Sequence, residues 1–479
     1  MNLVESGSKL LVAQAVSTAL LFFGLAYFAR ELPPAALGAF FLFRVLNDGV
    51  GLLSDFGIRR AVEKRLSEGD QAPETLTTGL LIKLGLSTLS AGLIIVAREP
   101  INAYLGLRLA RLLAVSIVLR ELSWFGVHVL RGELRVAETA IVEASRLVVW
   151  VGVGVALVEV GWGIRGIIYG FMSGFAVLGV WAFARVETPF GRPSIDRVDA
   201  ILSFSVYDFV SNAGDYAYNW VDVGIIGIYL TQSAVGTYEY AWQVTLPVAI
   251  VLEVIAKSLF PQVSRWHASQ STDDIAQVAK IAIGTGLFLS IPAFFGAILF
   301  SESILLVLFG PAYVAGATVL PILMAEKIVR SVQVVLSTVL RGVDRPEQSA
   351  LATGTTVVVN VLLNLLLIPT IGIRGAAFAT LGAVCLNAGL HWYLLRSHHR
   401  IQFPTGLAVR IAGASTVMAL ILIPGRWVFE VNSAPELLAV VVGGVVSYSA
   451  LTALVPSLRQ SFVRPGLRFV LEYVRVNRR

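Results

Sequence analysis

The chain has 479 residues, 56% of them hydrophobic and 14% charged, with a mean hydropathy of +0.77. Soluble domains carry about 25% charged residues, so the composition excludes a soluble enzyme or binding module and indicates an all-α polytopic membrane protein. The net charge of +6 is spread over many short loops, which fits a cytoplasmic membrane face and argues against nucleic acid as a partner.

Apolar windows bounded by charge, Pro or Gly give fourteen candidate spans. They lie at roughly 9–29, 36–57, 76–97, 108–130, 136–158, 163–184, 201–229, 234–256, 278–300, 316–340, 349–369, 372–395, 405–424 and 436–455. No small-residue cleavage site follows the first apolar run, so it reads as an uncleaved span. An even number of spans puts both termini on one side. Loops and tail on that side hold 23 Lys and Arg, among them Lys9, Arg59, Arg60 and six arginines from Arg459 to Arg479, against 6 on the other. The positive-inside rule makes the richer side cytoplasmic, and a plasma-membrane location is expected.

Short motifs recur in order. Arg131-Gly-Glu-Leu-Arg135 returns as Arg341-Gly-Val-Asp-Arg345, and Gly163-Ile-Arg-Gly166 returns as Gly372-Ile-Arg-Gly375. Ala103-Tyr104 pairs with Ala312-Tyr313, and Ala36-Leu-Gly38 with Ala234-Val-Gly236. The expected organisation is two parallel six-helix repeats, 1–198 and 199–400, then two accessory helices within 401–458 and a basic cytoplasmic tail, 459–479. Parallel repeats of this kind flank a central cavity that opens alternately to each side.

Charges inside spans are the first functional candidates. Arg44 and Asp48 stand at i,i+4, reading equally as substrate contacts or a structural pair, with Asp55 expected to snorkel or cap. Lys83 is expected to snorkel. Arg120 and Glu121 are adjacent, which assigns them different faces and makes Arg120 the cavity candidate. Glu143 and Arg146 read as an i,i+3 pair, and Glu326 pairs with Arg330, leaving Lys327 a cation without a local partner. Asn360 and Asn364 read mainly as interhelical hydrogen-bonding groups.

The seventh span is the most unusual. Ser205, Asp208, Asn212, Asp215, Asn219 and Asp222 recur at alternating steps of three and four, which places all six on one helical stripe. Each carboxylate on a lipid-facing surface costs on the order of a few kcal/mol, so the stripe is expected to face protein or a wet cavity. Buried aspartates without fixed partners suit H+ or Na+ coupling, and the cations suit a phosphate or diphosphate. There is no GxxxxGK[ST], no metal-ligand spacing around His391, His398 and His399, and no legible Ser/His/Asp arrangement. No cofactor, metal or catalytic residue is called for, and the lone Cys385 permits no intrachain disulfide.

The stretch VVVNVLLNLLLIPTIGIRGAAFATLGA, with Asn360, Asn364, Pro369, Gly372 and Gly375, resembles the signature of polysaccharide flippases in the multidrug/oligosaccharidyl-lipid/polysaccharide exporter superfamily. ARELPPAALGAFFLF, DVGIIGIYLTQSAVGTYEYA, LFPQVSR and LFGPAYVAGATVL agree with it in order. The resemblance implies two six-helix bundles around a central cavity. It also implies transfer of lipid-linked oligosaccharide from the cytoplasmic to the outer leaflet, in contact with membrane lipid, for surface glycan or glycoprotein assembly. Asp222 falls where the family commonly has an aspartate; Asp208 and Asp215 rest on the stripe alone. The alternatives are an ion-coupled multidrug exporter of the same superfamily and a membrane glycan polymerase or ligase, which would ordinarily need a larger outer loop.

Overall fold

The computed structural model describes residues 18–69, 71–396, 401–428 and 431–460, with side chains left out at 200, 203–208, 210–212, 215, 425–428 and 457. Among the described residues the chain is helical throughout, without strands. By packing it forms two compact units, 1–236 and 237–479.

The first unit contains α1 (18–31), α2 (Pro34–Asp55), α3 (Ile58–Ser67), α4 (Ala72–Val96), α5 (Arg98–Leu105), α6 (Ala110–Gly132), α7 (Val136–Glu159), α8 (Gly163–Arg185) and α9 (Ile195–Tyr229). The repeat boundary read from the sequence falls at 198/199, whereas α9 packs on α2, α3 and α4 and so lies with the first unit. The second unit contains most of α10 (Gln232–Ala268), then α11 (Thr272–Phe309), a 3-10 turn (Pro311–Thr318), α12 (Leu320–Gly342), α13 (Pro346–Ile371), α14 (Ile373–Leu395), α15 (Thr405–Val428) and α16 (Ala434–Leu454), followed by the short α17 (Pro456–Leu458). Among the described residues, eleven helices are long and apolar enough to cross a membrane.

With lipid outside, helix association depends on close contact between small residues. Gly166, Gly170 and Gly174 line one face of α8 and let it approach α7 backbone to backbone. A Cβ on Gly170 would stand 2.6 Å from Trp150 O, and one on Gly174 2.6 Å from Arg146 O. The second unit repeats the device: Gly375, Ala379 and Ala383 are buried on α14, and a Cβ on Gly375 would meet Leu367 O at 2.4 Å. Phe40, Trp150, Phe171 and Phe175 interlock beside α7 and α8, with ring centroids 5.0 Å apart between Phe171 and Phe175.

The repeated Arg-Gly-x-x-Arg motif forms the same turn twice. Leu134 and Asp344 adopt left-handed conformations (φ 62° and 58°). Arg135 N–H then donates to Leu130 O at 3.0 Å and Arg345 N–H to Leu340 O at 3.2 Å, closing each helix with a six-residue ring.

Proline use differs between the units. Among the described residues, helical prolines of the first unit occupy opening turns (Pro34, Pro73, Pro100), where no intrahelical hydrogen bond is lost. The second unit has Pro247 and Pro261 inside α10, Pro292 inside α11, Pro369 inside α13 and Pro424 inside α15. Pro292 cannot bond to Phe288 O, four residues back. Tyr448 on α16 donates its hydroxyl to that carbonyl at 3.0 Å instead.

Candidate functional site

The charges of α2 are spaced to share a face: Arg44, Asp48 and Asp55 follow at i, i+4 and i+11, and Gly51 lies among them. Gly51 makes room for α6, since a Cβ there would fall 2.1 Å from Arg120 Nη1 and 2.8 Å from Glu121 Oε1. Into this face come Lys83 from α4 and Arg120 and Glu121 from α6.

The result is a continuous chain of alternating charge. Arg59 Nε lies 2.9 Å from Asp55 Oδ1, and Lys83 Nζ lies 2.6 Å from the same oxygen. Lys83 also contacts Glu121, which contacts Arg120. Arg120 Nε is 3.3 Å from Asp48 Oδ1, and Asp48 Oδ2 is 3.8 Å from Arg44 Nη2. Lys83 and Glu121 are wholly buried and Asp55 nearly so. Taking such ions out of water costs several kcal/mol each, recovered only while each keeps its opposite partner.

At the other end of the chain the guanidinium of Arg44 rests on aromatic rings, 4.8 Å from the Trp220 centroid and 5.8 Å from that of Trp150. Such contacts contribute about 0.5–2 kcal/mol. Arg146, on α7, lies 5.2 Å from the Phe175 ring and 5.9 Å from that of Trp124, and interacts electrostatically with Arg44, Arg120 and Asp48. The Nε atoms of Arg44 and Arg146 are buried without a hydrogen-bond partner among the described residues. Tyr216 on α9 donates to Val45 O at 3.0 Å, and Tyr104 donates to Gly224 O at 2.9 Å, so both hydroxyls fasten α9 to the unit. Burial raises the Tyr104 phenol above its ordinary range.

Several expectations are corrected by this packing. Lys83 does not snorkel; it is sealed between two carboxylates, and Asp55 is buried with it rather than capping at the surface. Arg120 and Glu121 contact each other despite being neighbours in sequence, because both side chains bend into the α2 face. Glu143 pairs at 2.7 Å with Arg131, in the last turn of α6, and Arg146 rests on aromatic rings.

In the second unit, Lys327 has a local partner after all: its Nζ is 2.6 Å from Glu326 Oε2 and 4.1 Å from the Trp242 ring centroid, and both charges are fully buried. Arg330 is partly buried and stands 210 residues after Arg120, at the offset that relates α6 to α12. Asn364 Nδ2 donates to Asn360 O at 3.0 Å and to Asn360 Oδ1 at 3.2 Å, bonds within α13. Pro369 precedes the end of that helix, and Gly372 takes φ 65° before α14, with Gly375 at the tight crossing.

The acidic stripe is described in part. Asp222 is buried and Asn219 exposed; the side chains of Asp208, Asn212 and Asp215 lie outside the described residues. Sequence reasoning left Asp55, Lys83, Glu121 and Trp150 out of the candidate site. The Asp48-x2-Gly51-x3-Asp55 spacing was the available signal, since a glycine on a charged helical face marks a close neighbour.

An all-helical membrane protein of two helical units, with a buried charge chain opening on a cationic aromatic face, belongs with the transporters. Its overall fold matches that of the lipid II flippase MurJ in an inward closed conformation, with a TM-score of 0.76 at 16% identity, covering 93% of this chain and 98% of the other. An inward-facing multidrug resistance transporter of the same superfamily matches with a TM-score of 0.65 at 17% identity, over 83% and 98% of the two chains.

The family model described as polysaccharide biosynthesis protein matches residues 27–317, and the chain belongs to that family, a polysaccharide flippase of the multidrug/oligosaccharidyl-lipid/polysaccharide exporter superfamily. It is 38% identical over 470 residues, 98% of this chain and 100% of the other, to the probable low-salt glycan biosynthesis flippase Agl15 of Haloferax volcanii. It is 28% identical over 372 residues to the probable flippase AglR of the same organism, covering 76% and 77% of the two chains.

Proposed function

We propose that this protein carries a lipid-linked oligosaccharide from the cytoplasmic to the outer leaflet by alternating access, with Arg44, Arg120 and Arg146 receiving a diphosphate headgroup. One observation carries the reading: the guanidiniums of Arg44 on α2 and Arg120 on α6 share the carboxylate of Asp48, and Arg146 on α7 stands within electrostatic reach of all three. A planar fork of donors suits phosphate oxygens better than a point charge does. Trp220 and Trp150 beside Arg44 offer ring faces to a sugar or an isoprenoid chain. The full-length similarity to Agl15 supports a glycan-lipid cargo. The excess of cations at this face counts against the multidrug-cation alternative.

In this reading α1, α9 and α12 are three further spans, making fourteen, and both termini are cytoplasmic at the plasma membrane. Transport proceeds without catalytic chemistry, and coupling to H+ or Na+ falls to carboxylates of α9, with Asp222 and Asp215 foremost.

The test is reconstitution in liposomes with a fluorescent lipid-diphosphate oligosaccharide, scored by quenching from outside. Wild type should expose more of the probe than empty vesicles, and Arg44→Ala combined with Arg146→Ala should remove most of the gain at unchanged monodispersity. Equal exposure in wild-type and empty vesicles would overturn the flippase reading.

A further inference from the structure

The charge chain is tight at its buried end and loose at its open end. Lys83 and Asp55 meet at 2.6 Å with side chains 0% and 4% exposed, whereas Asp48 stands 3.3 Å from Arg120 and 3.8 Å from Arg44 with side chains 13–21% exposed. The second separation exceeds hydrogen-bonding distance and the first is at its long limit. Asp48 therefore neutralises two guanidiniums while engaging neither closely, and its partners have other support. Arg120 keeps Glu121, and Arg44 keeps two indole rings.

We propose that Asp48 is an internal substitute for the cargo's anion and sets the charge a headgroup must carry to be accepted. This rests on the diphosphate reading above. A bilayer presents phosphodiester lipids, each with one negative charge, in vast excess over any lipid-linked glycan. Without Asp48, a cluster of three arginines with only Glu121 set against it would fill with them. A carboxylate already in place offers the same single charge with no loss of translational freedom, so a phosphodiester gains little by displacing it. A diphosphate brings a second charge and more acceptor oxygens, enough to engage Arg44, Arg120 and Arg146 together. Selectivity then comes from a built-in competitor as much as from the attraction. Asp55 and Glu121 cannot serve in this way, because each is held tightly and sealed from the open face.

The experiment uses the full chain in dodecyl maltoside micelles, which hold no phosphodiester, and reads tryptophan emission, since Trp220 and Trp150 lie against Arg44. Geranylgeranyl diphosphate and phosphatidylglycerol are titrated separately into wild type, Asp48→Asn and Asp48→Glu. Wild type should prefer the diphosphate. In Asp48→Asn the ratio of the two apparent affinities should fall at least tenfold, chiefly through tighter phosphatidylglycerol binding, and Asp48→Glu should restore it. An unchanged ratio in Asp48→Asn, with diphosphate binding retained, would overturn the role of Asp48 and leave the diphosphate site standing. No response to geranylgeranyl diphosphate in any of the three would overturn the site itself. If Asp48→Asn is not monodisperse, Asp48→Ser takes its place under the same criteria.

Discussion

Replacing Lys83 with Met removes the one cation that joins Asp55 to Glu121. Lys83 lies 2.6 Å from Asp55 and in contact with Glu121, and all three are buried. After the change Asp55 retains Arg59 at 2.9 Å and Glu121 retains Arg120, but two sealed carboxylates then face each other with no charge between them. Breaking a buried pair by removing one partner costs about 3–5 kcal/mol. For a unit of 236 residues, about 2–4 °C is lost per kcal/mol, so the thermal midpoint should fall by roughly 6–20 °C. The double change Lys83→Met with Glu121→Gln should recover much of this loss, because one fewer charge is left uncompensated. The assay is thermal unfolding of detergent-solubilised protein followed by size-exclusion profile, arranged as a double-mutant cycle. A loss below about 1 kcal/mol for Lys83→Met, or strict additivity of the two changes, would refute the idea of a coupled buried chain.

Gly174→Ala should lower stability by about 1–3 kcal/mol by overpacking, because its Cβ would fall 2.6 Å from Arg146 O, as read by thermal unfolding; it should also weaken the diphosphate response in the tryptophan titration by shifting Arg146. Glu63, on α3 outside the spans, has burial acting to raise its carboxyl pKa, but the 2.5 Å contact with His128 and the nearby Arg131 and Arg60 prevail and hold it below its ordinary 4.5. A depressed carboxylate pKa contributes stability above the unfolded value that disappears as pH falls through the folded one. Melting scans below pH 4.5 should therefore show a steeper loss for wild type than for Glu63→Gln. Lys327→Met should destabilise the protein, and Lys327→Met with Glu326→Leu should restore it, since removing both members of a buried pair strands neither charge; equal melting temperatures for the single and double variants would count against the pairing.

Much of the architecture was legible because membrane spans announce themselves by length and apolarity. The repeated Arg-Gly-x-x-Arg motif was legible too, and it proves to be one turn built twice. Local spacing also placed Arg44 with Asp48, since i,i+4 neighbours meet on any helix. The failures share a cause. Asp55 and Lys83 are 28 residues apart and meet only because α2 and α4 pack side by side, a fact no helical period contains. A lysine near a span end has water within reach on a lone helix, so snorkelling was the natural reading until a second helix closed over it. Likewise Glu143 had two cations in reach by sequence, Arg146 one turn away and Arg131 across a helix end, and only tertiary packing chooses Arg131.

The carbonyl that Pro292 leaves unbonded has a mechanical consequence. A helix whose ladder is already interrupted bends there at little extra cost, so α11 has a built-in elbow in a unit whose α10, α13 and α15 also carry interior prolines. Tyr448 reaches across from α16 to that carbonyl, with its ring 5.1 Å from Phe288, and so splints the elbow from a neighbouring helix. α16 thus acts on the stiffness of α11: with Tyr448 engaged the elbow is held at one angle, and with Tyr448 released it is free to flex. By contrast, the helical prolines described in the first unit stand in opening turns and give its helices no such joint.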